Sequence, residues 1–371
     1  MTDLASARHS ETGRLASLDL LRLFAALSVV GFHYFFRGSV APGWLDTGYP
    51  ELAGIAIYGY LGVSLFFMIS GFVIAWSAEG RSAGMFAVHR FARIYPAFFV
   101  CMSITTLVLA LGHDQLPISF KQWLANIIIF APAAGQPFVD GVYWSIVLEL
   151  VFYGWMTLAI ASGQFAKRPD ALVCGWLILA AANEFGFDSS ILRMGFVTEY
   201  AAWFAAGIIL HRLRHHGRST VRLILLAASL LLAIATSFRT RGWMLEHYGI
   251  GLPDLHLVAA VIVLFAIFIA AVSFGERLAP SRQLLALGGL TYPLYLLHQN
   301  IGYVALNALT PMLGRWLAAA ISISAMLILA YVVWAWIEPP ARRWLLRKSG
   351  IQPVMQGRAS TKSSGNKVCP V

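Results

Sequence analysis

The chain has 371 residues, of which 59% are hydrophobic and only 12% are charged, and its mean hydropathy is +0.71. These values exclude a soluble domain with a polar surface and predict a membrane protein. The net charge of +10 comes from basic residues in short loops, where they indicate orientation rather than a nucleic-acid partner. Cys101, Cys174 and Cys369 lie far apart in the sequence and predict neither a disulfide framework nor a zinc site.

The apolar runs, taken in chain order, predict ten membrane-spanning helices. They lie near residues 18–37, 56–77, 94–112, 142–162, 171–187, 196–211, 220–237, 255–273, 283–303 and 315–337. An eleventh run, at about 121–134, is too short to cross a bilayer and is interrupted by proline, so it predicts a re-entrant or interfacial helix. The expected fold class is therefore all-α, a polytopic transmembrane bundle of about ten spans.

The distribution of basic residues predicts the orientation of the chain. If the run at 121–134 does not cross, 20 of the 27 lysines and arginines fall on the side of the two termini and six on the other side. The positive-inside rule then places both termini in the cytoplasm. The first span is too long for a signal peptide, so we expect it to be retained. We expect a cytoplasmic segment at 1–16, one membrane domain at 17–347, and a disordered cytoplasmic tail at 348–371.

The first span carries two ionisable residues, Arg22 and His33, in an otherwise apolar stretch. Ionisable residues inside a membrane are functional-site hypotheses by default. Eleven residues bring the two side chains to the same helical face, about 16 Å apart along the axis. The alternative for each is that the side chain extends to the nearer membrane surface.

Two arginines stand at the cytoplasmic entrance of the third span. Arg90 and Arg93 share a face if the segment is helical, and two guanidinium groups on one face suit phosphate oxygens. The alternative is an ordinary basic anchor at the membrane surface.

A buried carboxylate is predicted in the span that begins near residue 142. Glu149 lies about 10 Å below the outer boundary, at a depth close to that of His33. We therefore expect a hydrogen bond between these two side chains if their spans are neighbours. Ser145 and Tyr153, four residues to either side, share the face of Glu149 and can bond its second oxygen. The alternative is a structural carboxylate bonded within the bundle.

A histidine, a carboxylate and arginines that could hold an anion are the groups required for acyl transfer from a phosphate-bearing donor to a hydroxyl. The sequence contains no nucleophile-elbow, Walker or zinc-spaced histidine motif. A multi-span transporter of an anionic or glycan substrate is the alternative, although the two halves show no corresponding pair of broken helices. A receptor or scaffold would leave the ionisable residues without a role.

Several motifs, in this order and spacing, resemble membrane acyltransferase family 3, which comprises bacterial polysaccharide O-acyltransferases. They are Arg22 to His33 within LDLLRLFAALSVVGFH, GYLGVSLFFMISGFVI in the second span, Arg90-x-x-Arg93 followed by Ile94-Tyr95-Pro96, WSxxxExxFY from Trp144 to Tyr153, GLTYPLYLLHQ from Gly289 to Gln299, and IEPP from Ile337 to Pro340. The likeness extends from about Leu15 to Arg347.

The resemblance implies a cytoplasmic acyl-CoA donor, commonly acetyl-CoA, and a hydroxyl acceptor on an extracytoplasmic glycan such as exopolysaccharide or lipopolysaccharide. It implies His33 as general base or transient acyl carrier with Glu149 as its acidic partner, and Arg22, Arg90 and Arg93 as donor-binding groups. The supporting residues expected from these motifs are Trp144, Ser145, Tyr153, Tyr292 and His298. For Tyr292 an aromatic belt, and for His298 simple packing, are the alternatives.

We also expect a location in the bacterial inner membrane, among its lipids, and no metal. Some family members carry a further extracytoplasmic domain after the membrane portion. This chain ends about 24 residues after Arg347. We therefore expect it to act without such a domain, which leaves open whether a separate extracytoplasmic partner completes the transfer.

Overall fold

The computed structural model describes residues 15–41, 43–112 and 116–350. Nearly all of the expected N-terminal segment and C-terminal tail, including Cys369, lies outside these residues. The described chain is helical, without a strand. The long helices are α1 (Ala16–Gly31), α2 (Leu61–Ala78), α3 (Ala83–Gly112), α4 (Trp144–Ala161), α5 (Pro169–Ala182), α6 (Ala201–His215), α7 (Thr220–Tyr248), α8 (Asp254–Phe274), α9 (Arg282–Leu313) and α10 (Arg315–Val332).

Shorter elements connect and extend these helices. The short α-helices are Gly38–Val40, Pro50–Ala56, Phe120–Asn126, Gln164–Lys167, Ser190–Gly195 and Glu338–Lys348; the 3₁₀ turns are Ile57–Tyr60, Ala131–Ala134, Gly141–Tyr143 and Gly275–Arg277; the π-helical turns are Phe32–Arg37, Asn183–Phe187 and Val333–Ile337. One π turn therefore continues α1 and contains His33. Such turns occur frequently at functional sites.

Each of the ten predicted spans corresponds to one long helix. Within the described residues, eight helices with their flanking turns are long and apolar enough to cross a membrane, namely α1 to α5, α7, α8 and α10. Of the other two, α6 has only 15 residues and is buried from Ala201 to His211, and α9 carries a series of buried polar side chains. The predicted polytopic helical bundle is confirmed.

The run at 121–134 is more broken than the single short helix that the sequence predicts. The helix Phe120–Asn126 begins at Ser119, whose side chain accepts a hydrogen bond from Gln122 N at 3.0 Å, and ends after seven residues. Ile129 then takes a left-handed conformation with φ of 65°, and a 3₁₀ turn follows at Ala131–Ala134. Neither piece is long enough to cross a bilayer.

Two glycines of α9 lie directly against side chains of α1 and of the π turn that follows it. A Cβ on Gly288 would lie 2.3 Å from the Asp19 carboxylate, and one on Gly302 would lie 2.0 Å from the Tyr34 hydroxyl. Both pairs join α1 to α9 in the same order along the chain, so these two helices run parallel. Small residues permit such contacts, and van der Waals packing is what drives helix association in a membrane.

Candidate active site

His33 lies at the contact between α1 and α9, buried in the π turn Phe32–Arg37. Its Nδ1 atom lies 2.9 Å from the Val29 carbonyl oxygen and 3.0 Å from Nε2 of His298. The two imidazole rings meet edge to face, with their centroids 4.9 Å apart. The ring partner of His33 is therefore another histidine, 265 residues away in the sequence.

The hydrogen bonds of His298 assign the proton on each neutral ring. Nδ1 of His298 faces two carbonyl oxygens, of Tyr295 at 2.8 Å and of Leu294 at 3.2 Å. Carbonyl oxygens only accept, so this nitrogen carries the hydrogen and Nε2 of His298 is left as an acceptor. His33 must then donate from Nδ1. Its own Nε2 keeps a lone pair, which is the form a general base requires.

Two tyrosines hold the histidine pair in place from opposite helices. Tyr34 on the α1 side donates its hydroxyl to the His298 carbonyl oxygen at 2.7 Å, and Tyr303 of α9 donates to the His33 carbonyl oxygen at 3.2 Å. Both rings are fully buried. This reciprocal arrangement fixes the backbone at each histidine and so limits rotation of the rings.

A cluster of polar side chains lies next to the histidine pair, around the residues that follow His298 in α9. Arg37 donates to Gln299 Oε1 at 2.9 Å, and the Asp140 carboxylate accepts from the backbone N–H groups of Asn300 at 2.9 Å and Val142 at 3.1 Å. Asp140 precedes the first turn of the α4 span, and its burial raises its pKa to about 6. The sequence analysis did not identify Asp140, because a single acidic residue between apolar runs resembles an ordinary loop residue.

The expected supporting residues Ser145, Tyr292 and Trp144 each lie at a different contact between helices. Ser145 and Tyr295 share a hydrogen bond of 2.7 Å, one helical turn from His298, and tie α4 to α9. Tyr292 donates to the Ile94 carbonyl oxygen at 3.2 Å and joins α9 to α3. Trp144 is 36% exposed and packs its ring against aromatic side chains of α2 and the turn before α6.

Glu149 does not form the hydrogen bond with His33 that the sequence predicts. One oxygen of Glu149 accepts from Ser70 Oγ at 2.9 Å and from the hydroxyl of Tyr153. No hydrogen bond joins Glu149 to His33 in the part of the chain that the structure describes. The hydrogen bond expected between Tyr153 and Glu149 is present, whereas Ser145 bonds Tyr295 instead.

Glu149 and His33 do not meet because of the position along the bundle at which α4 begins. Ser145 lies beside Tyr295, and α4 and α9 run in opposite directions from that contact. Glu149 is four residues further in one direction and His298 three residues in the other, which separates them by about 10 Å along the bundle. The similar depth of Glu149 and His33 that the sequence predicts is therefore not observed.

Four arginines lie together at the end of the bundle where α2 passes into α3. We call this group the basic end, and its members are Arg81, Arg90, Arg93 and Arg342. Arg90 is half-buried, and its Nε atom is buried without a hydrogen-bond partner among the described residues. The charge of Glu149 also acts on Arg90, so this carboxylate belongs with the arginines rather than with the histidines.

The last helix contributes to the basic end through the IEPP motif. Glu338, the first residue of Glu338–Lys348, forms an ion pair with Arg93 and interacts with Arg342. Its second oxygen, Oε1, is buried without a partner in the described chain. Four guanidinium groups therefore face two carboxylates, an excess of positive charge suited to an anionic ligand. Arg342 was missed because it lies far from Arg90 in the sequence, and Arg81 was missed because it precedes the helix Ala83–Gly112 and so shares no helical face with Arg90.

Arg22 lies nearer the basic end than His33, as its position in α1 requires. It forms an ion pair with Asp19, which lies three residues earlier on the same helical face. Nη1 of Arg22 is 2.9 Å from Oδ1 of Asp19. The Asp19 carboxylate is buried. This pair compensates part of the cost of placing an arginine in the first span.

Comparison with known proteins gives one matching family and several relatives. Residues 15–335 match a family described as "Acyltransferase domain". "Nodulation protein 10" of Rhizobium leguminosarum bv. viciae is 26% identical and covers 91% of this chain and 96% of the relative. "O-acetyl transferase" of Shigella phage Sf6 is 23% identical, covering 89% and 96%. "Putative peptidoglycan O-acetyltransferase YrhL" of Bacillus subtilis is 22% identical, covering 88% and 55%. No solved structure matches.

Proposed function

The chain belongs to the acyltransferase family that its residues 15–335 match and is an O-acyltransferase, and on this basis we propose that it transfers an acyl group from acyl-CoA to a hydroxyl of an extracytoplasmic glycan. The names of two relatives support this proposal, since one is named an O-acetyl transferase and the other a putative peptidoglycan O-acetyltransferase. We propose acetyl as the acyl group for the same reason. A transporter does not account for this relationship.

The proposed donor site is the basic end. The nucleotide part of CoA carries several phosphate groups, and arginine binds phosphate oxygens through paired N–H donors. The unpartnered Nε of Arg90 and the surrounding excess of arginines support an anion there. We propose that the pantetheine arm then extends past Arg22 toward His33. With the basic end in the cytoplasm, as the positive-inside rule predicts, donor and acceptor approach from opposite faces of the bacterial inner membrane.

The single observation that carries the proposed chemistry is the 3.0 Å contact between Nδ1 of His33 and Nε2 of His298, from which we assign a lone pair to Nε2 of His33. In the proposed step this nitrogen removes the proton of the acceptor hydroxyl while the oxygen attacks the thioester carbonyl carbon. The carbon–sulfur bond breaks, and the leaving thiolate takes the proton back from His33. The products are the O-acyl glycan and free CoA. Nε2 of His298 accepts from Nδ1 of His33 and stabilises the transient imidazolium, the role that the sequence analysis gave to Glu149.

Full-length protein reconstituted in liposomes, with labelled acetyl-CoA and a de-O-acetylated polysaccharide, tests the proposal. We expect label to appear as a glycan ester, and His33→Ala to lower the rate at least about 100-fold. His247→Ala, which changes an exposed histidine stacked on Trp243, is the matched control and should keep the wild-type rate. A His33→Ala protein that retains the wild-type rate would remove the mechanism.

Two further measurements separate parts of the proposal. Arg90→Ala should raise the KM for acetyl-CoA by about 10- to 100-fold, the value of one or two charged hydrogen bonds, with little change in kcat. An unchanged KM would exclude the basic end as the donor site. Mass spectrometry of enzyme quenched after exposure to acetyl-CoA alone should show no acetyl group on His33, whereas an acetylated His33 would replace the general-base step by a transient acyl-enzyme.

A further inference from the structure

A second cluster of ionisable side chains lies where α2 and α6 end, apart from the proposed acyl-transfer residues. Glu79 follows the last residue of α2, and His211 and His216 lie in and just after the last turn of α6. One side-chain ligand atom from each of the three residues lies within 4.8 Å of the others. His215 packs beside the group, with its ring centroid 4.7 Å from that of His211.

The hydrogen bonds within this cluster leave its most buried member unsatisfied. His216 Nε2 lies 2.6 Å from Glu79 Oε1, but His211 Nδ1 lies 3.8 Å from the same oxygen, beyond hydrogen-bond range. His211 is 1% exposed, and neither of its ring nitrogens has a partner among the described residues. Buried polar groups are nearly always paired, so an imidazole in this state indicates a ligand.

The frame that holds the cluster is rigid. A Cβ on Gly71 would lie 2.1 Å from the Phe204 carbonyl oxygen, and one on Gly207 would lie 2.0 Å from that of Met68. The backbones of α2 and α6 are therefore in direct contact. His211 stands one helical turn after Gly207, on the same face. Glu79 and His211 are thus held by helices that cannot slide past each other without a clash.

We propose that Glu79, His211 and His216 bind a Zn²⁺ ion. Two imidazole nitrogens and one carboxylate oxygen form a set that zinc takes in proteins, with a fourth tetrahedral position for water or a further side chain. Bonds of about 2.1 Å at tetrahedral angles set ligand atoms about 3.4 Å apart. The two distances from Glu79 Oε1, 2.6 Å and 3.8 Å, bracket that value. His215, four residues after His211, has its ring centroid 4.7 Å from that of His211.

The site ties the turn between α2 and α3 to the end of α6. Gly80, with φ of 68°, follows Glu79 in this turn, and Arg81 of the basic end comes next. A bound ion would therefore hold Arg81 in a fixed position near Arg90. Zinc binding itself depends on neither acyl transfer nor the identity of the donor, so it can be tested without an activity assay.

The test uses tag-free, full-length protein in detergent, stripped with a chelator, dialysed and titrated calorimetrically with ZnCl₂ alone. We expect one equivalent to bind the wild-type protein and binding to be lost in Glu79→Gln and in His216→Ala. Both residues are about 40% exposed, so neither change should disturb folding. His247→Ala is the matched control and should bind like the wild type.

Elemental analysis and thermal unfolding give independent readings of the same site. Zinc should raise the melting temperature of the wild type and of His247→Ala but not of Glu79→Gln, because a ligand stabilises only the state that binds it. A wild-type protein that binds no zinc, or a Glu79→Gln, His216→Ala double variant that binds as the wild type does, would overturn the proposal. Acyl transfer that fails while zinc still binds would contradict the proposed function alone.

Discussion

Replacing His298 with alanine should lower kcat about tenfold and leave the KM for the acyl donor unchanged. The substitution removes the acceptor that lies 3.0 Å from Nδ1 of His33. Loss of a buried hydrogen-bond partner costs about 1–3 kcal/mol, which corresponds to a factor of about 5 to 150 in rate. The Val29 carbonyl oxygen, at 2.9 Å, still accepts from the same nitrogen, so we expect a value near the lower limit. The KM stays constant because the basic end is untouched.

The assay is initial-rate kinetics of labelled acyl transfer, with donor and acceptor varied separately. His298→Gln is the conservative variant, since its amide oxygen can accept from His33, and it should recover most of the lost kcat. Thr291→Ala is a matched control, because this buried hydroxyl of α9 bonds the Gly288 carbonyl of its own helix and no other group among the described residues. The proton positions assigned to the two rings are refuted if His298→Ala keeps the wild-type kcat, or if the kcat of His298→Gln is no higher than that of His298→Ala.

Three other substitutions test separate parts of the structure. Glu149→Gln should reduce kcat by less than about tenfold, because this carboxylate does not contact His33. A loss as large as that of His33→Ala would show instead that Glu149 acts as the partner of His33. Because burial raises the pKa of Asp140 from 3.8 to about 6, its contribution to stability is complete below pH 3.8 and is lost as the pH rises through about 6, at about 1.4 kcal/mol per pH unit. Because the amide of Asp140→Asn does not titrate, the melting temperature of the wild type should fall relative to that of this variant as the pH rises from about 4 to above 6, and a constant difference between the two would contradict the shift. Gly71→Ala should destabilise the protein by at least about 1–3 kcal/mol, since its Cβ would meet a carbonyl oxygen of α6 at 2.1 Å. Gly175→Ala, which has open space, is the control, and equal unfolding midpoints for the two variants would exclude the close contact.

Much of the bundle could be predicted from the sequence because the bilayer imposes one strong rule. Apolar runs of about 20 residues must form helices that satisfy their own backbone hydrogen bonds. All ten predicted segments are helical for this reason, and the short run at 121–134 does not produce an eleventh span. The ionisable residues Arg22 and His33 were equally visible, since charged and polar groups are rare in such runs.

The two clusters that the structure reveals join residues from distant parts of the chain. His298 was identified as a supporting residue, but nothing in its own segment indicates that its ring meets His33, 265 positions earlier. The proposed zinc ligands were missed for the same reason, since Glu79 is separated from His211 by several helices. Spacing within one segment reports a shared helical face and carries no information about the facing helix.

The sequence by itself therefore determined the class of protein and its helices and indicated some of the candidate reactive groups, because hydropathy and helical periodicity are local properties. Only the tertiary structure decided which groups meet. Glu149 and His33 have similar predicted depths, yet the contact of Ser145 with Tyr295 starts α4 level with the histidines and carries Glu149 about 10 Å past them. The height and rotation of a helix come from packing against its neighbours, and small residues such as Gly71 and Gly207 fix them by backbone contact.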